Sequence, residues 1–152
     1  MRNVLFLGLL VMSSFSFAGR VVKHQHRCPA VFVDMNVCLN YEMPDEINLS
    51  SEDETTFVLD LYSWDSAYSG KGERELVDVE GELSAELMMS HSDGSHMAMP
   101  LTLEKIGVGK YLVHKAHFVM SGTWGIGLTL KRPDQPALKR AELFLYIYPD
   151  SK

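Results

Sequence analysis

The chain has 152 residues, 20 acidic against 14 basic, and a net charge of −6 with histidine neutral. That length fits one domain with a core of its own. An acidic balance without a basic cluster argues against nucleic acid as a partner.

Residues 1–18 read as a signal peptide. Arg2 supplies the positive region, Val4 to Val11 the apolar run, and Ser16-x-Ala18 a small-x-small cleavage site. The apolar run is too short to span a bilayer. No cysteine follows the cleavage point closely, which argues against a lipid anchor there. Gly19 is thus expected as the mature N-terminus of a periplasmic or secreted protein, with residues 19–152 forming a single domain. No second apolar segment reaches transmembrane length, so no anchor is expected in the mature chain.

Cys28 and Cys38 are the two cysteines. In an exported chain such a pair reads as a disulfide, worth about 2–3 kcal/mol for so short a loop. The competing reading has both thiolates bind a metal with His24 and His26, although C-x9-C matches neither a zinc ribbon nor a redox motif. A hairpin joining the cysteines would turn at Phe32-Val33-Asp34, which is poor turn chemistry. The bridge is therefore expected to link a loop to a strand.

Asp45 to Thr56 (DEINLSSEDETT) is polar and acidic and reads as a loop. Its Asn48-Leu49-Ser50 is formally a glycosylation sequon, a motif with many false positives. Beyond it the hydrophobic period is two. Phe57, Leu59 and Leu61 alternate with Val58, Asp60 and Tyr62. Leu83, Ala85, Leu87 and Met89 form a second set, Trp124, Ile126, Leu128 and Leu130 a third, and Ala141, Leu143, Leu145 and Ile147 a fourth. Turn residues fall between them at Ser69-Gly70-Lys71-Gly72, Ser92-Asp93-Gly94, Gly107-Val108-Gly109, Ser121-Gly122 and Pro133-Asp134. No segment carries a helical stripe with caps. The pattern predicts an all-β protein, an immunoglobulin-like antiparallel β-sandwich of about seven strands. Leu59, Leu87, Leu103, Leu128 and Leu143 are expected to be buried, with Tyr111 and Trp124 as core or corner aromatics.

The stretch MMSHSDGSHMAM, residues 88–99, is the candidate site. Met88, Met89, His91, His96, Met97 and Met99 lie on the end of one strand, a loop and the start of the next. Thioether sulfur is soft and uncharged and suits Cu(I), while imidazole binds either copper oxidation state. Met88, His91, His96 and Met99, with Met97 or Met89 as substitutes, are the expected ligand set. The competing reading makes Met89, Met97 and Met99 core filler, in phase with Leu87, Leu101 and Leu103, and the histidines solvated loop residues. Met88 falls on the opposite, more polar face. His114 and His117 lie three apart on an expected strand, point to opposite faces and read as structural.

Enzymatic signatures are absent: there is no G-x-S-x-G, H-E-x-x-H or phosphate loop, and catalysis is not expected. Two classes remain. One is an exported copper carrier. The other is a metal-free module that meets an envelope protein through a sheet edge or the acidic loop.

The run Met88-Met89-Ser90-His91, then Gly109-Lys110-Tyr111, Phe118-Val119-Met120 and Gly122-Thr123-Trp124-Gly125-Ile126 resembles the YtkA-like/FixH-like extracytoplasmic domain. The resemblance covers residues 57–148 and implies a small immunoglobulin-like sandwich in the bacterial envelope. Some relatives are linked to copper handling or cytochrome oxidase assembly. By position, Met89, His91, Tyr111, Phe118, Met120, Gly122 and Trp124 match the motif, and the first two suggest ligation. The loop departs from the M-P-x-M-G-H-G type of one branch, and the chain lacks a FixH-type membrane anchor.

Overall fold

Apolar side chains at alternate positions must all reach one interior, and this chain achieves that by curling a single sheet over itself. The computed structural model describes residues 17–22, 27–70, 73–90, 96–135 and 138–149. Among these, ten strands are present. They are β1 (Phe17–Val22), β2 (Ala30–Phe32), β3 (Val37–Glu42), β4 (Glu46–Leu49), β5 (Thr55–Ser63), β6 (Glu82–Ser90), β7 (His96–Gly107), β8 (Lys110–Ala116), β9 (Gly122–Lys131) and β10 (Lys139–Pro149). The order is β2-β3-β5-β8-β7-β6-β9-β10-β1-β4, and every pairing is antiparallel.

Strand β7 makes the corner. Residues up to Leu101 pair with β6, and those from Thr102 onward pair with β8. Its two halves thus lie in opposite layers of the curled sheet. The far end closes where β2 comes alongside β10 and the Lys139 ammonium donates to the Asp34 carboxylate.

The expected alternations hold. Leu59, Leu87, Leu128 and Leu143 are buried, and Leu103 is half-buried against the same core. Residues from both layers meet in one cluster, with Leu39, Leu59 and Leu61 on one side and Leu87, Ile126, Leu128 and Leu143 on the other. At about 25 cal/mol per Å2 of apolar surface removed from water, this cluster is the main stabilising term.

The strand count exceeds the expected seven because β1, β2 and β4 are short strands whose few residues show no usable alternation. Glu46–Leu49, expected as loop, is the edge strand β4; it pairs with β1 and buries Ile47. The junction between Ala18 and Gly19 falls inside β1. Its pairing with β10 begins at Gly19, so cleavage there would leave every β1–β10 pair intact.

Residues 32–37 do form a hairpin turn, through a 3-10 turn at Val33–Met35. Asn36 supplies the left-handed conformation that closes it, with φ 51°, a conformation asparagine tolerates better than most residues. The Cys28–Cys38 disulfide joins the segment before β2 to β3, with Cα atoms 5.3 Å apart. It is a loop-to-strand bridge, and both sulfurs are used up by it.

The end of β5 has a second cover. After the short helix α1 (Trp64–Tyr68), residues 75–77 run back along β5 as a strap. Ser63 N–H donates to Glu75 C=O at 2.9 Å, and Val77 N–H donates to Leu61 C=O at 3.0 Å. Hence Asp60 and Tyr62, on the face of β5 that alternation assigns to solvent, are buried too. Asp60 pairs with Lys110 at 3.0 Å, so that carboxylate is not left uncompensated.

Candidate functional site

The β6–β7 hairpin sets the geometry of the methionine and histidine residues. Its register places Leu87 opposite Met99, Met88 opposite Ala98, Met89 opposite Met97 and Ser90 opposite His96. Because the side-chain period of a strand is two, positions 88, 90, 96 and 98 belong to one face. Positions 87, 89, 97 and 99 belong to the other. His91 lies outside the described residues, and only the backbone positions of His96 and Met97 are described.

This divides the expected ligand set. Met89 is buried, sits opposite Trp124 on β9, and reaches within 3.5 Å of where a Cβ at Gly122 would stand. Met99 is half-buried against the core. Both act as interior filler, so Met88 and Met99 lie on opposite faces and cannot share one metal ion. Met88 is different. It lies on the outer face opposite Gly125, and its methyl carbon is 3.4 Å and 2.9 Å from the positions a Cβ would take at Gly125 and Gly127.

Those two glycines, alternate on β9, leave a trough that the Met88 side chain enters. The surrounding groove, about 350 Å3, is also lined by Glu86, Thr129, Arg140 and Glu142. Glu86 and Glu142 bring carboxylate oxygens over the same glycines. Neither acid was singled out from the sequence; the available signal was Gly125-x-Gly127 inside an otherwise apolar strand, which marks close approach from a neighbour. Among the described residues, no group of three or more His, Cys, Asp or Glu side chains has metal-binding geometry.

The remaining motif residues hold the fold. Phe118 and Trp124 are buried and meet edge to face, with centroids 5.3 Å apart. The Trp124 indole N–H donates to Met120 C=O at 3.1 Å, satisfying the one polar atom of a fully buried ring. Met120 itself is exposed. Gly109 takes φ 61° at the β7–β8 turn, and burial pushes the Tyr111 phenol above its ordinary pKa.

His114 stands between two carboxylates, Nδ1 3.6 Å from Glu54 and Nε2 3.3 Å from Glu104. The His117 ring Nδ1 lies 3.1 Å from Asp53 C=O. Strand β8 ends at Ala116, so His117 lies beyond it, and a bulge with Lys115 at φ 63° replaces the alternation that would have put the two rings on opposite faces. Both rings fasten the acidic segment before β5 to the sheet, as structural histidines do. His24 and His26, the partners of the thiolate reading, lie outside the described residues, and that reading fails because the cysteines are bonded to each other.

No family model and no curated protein matches the chain. A solved structure similar to it is that of FetP from uropathogenic E. coli strain F11, expressed in the E. coli periplasm. It is 11% identical, with a TM-score of 0.37 over 89% of this chain and 94% of that one.

Proposed function

We propose that this chain is an exported, non-enzymatic envelope protein that binds copper, Cu(I) in preference, on the outer face of the β6–β7 hairpin. Met88 is the thioether ligand, with His91 and His96 as the imidazole ligands. The observation that carries this reading is the face assignment of Met88: the register puts this methionine on the polar outer face shared with position 96, with its methyl carbon over Gly125 and Gly127 of β9. The position lies outside the apolar core, and a soft neutral ligand suits a monovalent soft ion. The resemblance to YtkA-like/FixH-like domains supports His91 as a ligand, while its other matched ligand position, Met89, is buried in the core. Export is supported by the disulfide, since such bridges persist in oxidising compartments, and by the signal-like N-terminus.

Competition titration against a Cu(I) chelator tests it. Met88→Ala, and separately His91→Ala with His96→Ala, should each weaken binding at least about tenfold, or about 1.4 kcal/mol, with the fold intact. No Cu(I) binding by the wild type, or unchanged affinity in both variants, would defeat the reading.

A second reading, a metal-free interaction module, is favoured by β10, two strands across the same face from Met88. Phe144, Tyr146 and Tyr148 occupy alternate positions of β10 and are all exposed, and exposed aromatic rows are typical of binding surfaces. An envelope partner would dock there. A wild type that binds no copper but loses a cross-linked envelope partner on Phe144→Ser would favour this module.

A further inference from the structure

On the opposite layer, a pocket of about 240 Å3 lies between α1, the strap and the segment before β2, lined by Arg27, Ser66, Ala67, Gly70, Glu73 and Arg74. We propose that it binds an oxyanion, a carboxylate or phosphate group carried by a small ligand, through the guanidinium groups of Arg27 and Arg74. This is independent of the copper reading.

The two arginines are organised by one buried residue. The Arg74 guanidinium carbon stands 4.8 Å above the ring of Tyr62, and the Tyr62 hydroxyl donates to Arg27 C=O at 2.5 Å. Next to Arg27, Cys28 is bonded to Cys38, which itself lies opposite Tyr62 across the β3–β5 pair. Tyr62 therefore holds the side chain of one arginine and the backbone of the other.

The Arg74 guanidinium carbon stands over the ring, and a guanidinium in a cation–π contact can still offer an edge of N–H donors. That edge is the part that takes a planar oxyanion in two parallel hydrogen bonds. Among the described residues neither Arg27 nor Arg74 has a carboxylate ion-pair partner. Among the described residues lining the pocket Glu73 is the one carboxylate, so two cations outweigh one anion there. In a chain of net charge −6, two arginines that line one cavity without a carboxylate partner among the described residues make a local patch of opposite sign. The Ser66 hydroxyl is already committed, donating to Ser63 C=O and accepting from Glu75 N–H; it shapes the wall instead of meeting the ligand.

Isothermal titration of the mature protein at low ionic strength, with inorganic phosphate and with succinate as probes, decides it. The wild type should bind at least one probe with a dissociation constant on the order of 1 mM or tighter. Phosphate alone would assign a phosphate ligand, succinate alone a carboxylate one, and both would support the shared chemistry. Arg27→Gln and Arg74→Gln should each weaken binding at least about fivefold, and Arg74→Lys should fall between Gln and wild type because a lysine is a single point donor. Tyr62→Phe keeps the stacking ring but loses the hydroxyl, so it too should bind more weakly at unchanged secondary structure. Lys131→Gln, which removes the same charge from an exposed position at the end of β9, should leave affinity unchanged. Binding of neither probe, or an equal loss in Lys131→Gln and Arg74→Gln, would overturn the proposal.

Discussion

The Asp78 carboxylate accepts the backbone N–H of Gly109 at 2.9 Å and an ion pair from Lys105 at 3.0 Å. Through these contacts the strap locks onto the β7–β8 turn. Leu61 N–H donates to Gly109 C=O at 2.7 Å from beneath. Three segments distant in sequence thus converge on one glycine.

Gly109 should accordingly be intolerant of any side chain. A Cβ there would stand 2.4 Å from Leu61 C=O and 2.8 Å from Val77 C=O, at φ 61°. Both walls are backbone and cannot rotate away. Gly109→Ala should lose about 3 kcal/mol, from the left-handed conformation and the overpacking together. Urea unfolding measures it; a loss under about 1 kcal/mol would mean the strap is not seated as described.

The same contacts make the fold acid-sensitive. The Gly109 N–H first, then Lys105, hold the Asp78 carboxyl below its ordinary value. A depressed folded-state pKa contributes stability that is present above the unfolded value, about 3.9, and lost as pH falls through the folded value. Asp78→Asn should therefore flatten the dependence of the urea midpoint on pH below about 4. Identical slopes in wild type and variant would refute the linkage.

Adjacent methionines on β6 should behave oppositely. Met89→Ala opens a cavity beside Trp124 and should cost about 2–4 kcal/mol. Met88→Ala empties an outer trough and should cost about 1 kcal/mol or less. Thermal unfolding of the two variants side by side checks the face assignment, and equal costs would contradict it.

Reduction of Cys28–Cys38, whose sequence separation is 10, should lower stability by about 2–3 kcal/mol. Alkylation should add mass after reduction and none before it. Modification without reductant would show free thiols.

The sequence by itself determined the inside of this protein. Leu59, Leu87, Leu128 and Leu143 were readable as buried because a half-buried strand must alternate every two residues, and that signal is local. The motif glycines and aromatics were readable for the same reason: Gly109 and Trp124 each satisfy a requirement of their own backbone or ring. Strand β4 was not readable, because four residues carry too little alternation to outweigh an acidic composition. Nor could alternation foresee Tyr62 and Asp60 buried on the solvent side of β5, since the strap that covers them comes from 75–77. The candidate site shows the same boundary. Met88 could be assigned to the polar face from its position in the period, but only the pairing of β6, β9 and β10 brings Glu86, Gly127 and Glu142 to it. Arg27 and Arg74 are 47 positions apart and share no motif; the tertiary structure alone unites them, because long-range pairing is set by which surfaces must be covered and not by local order.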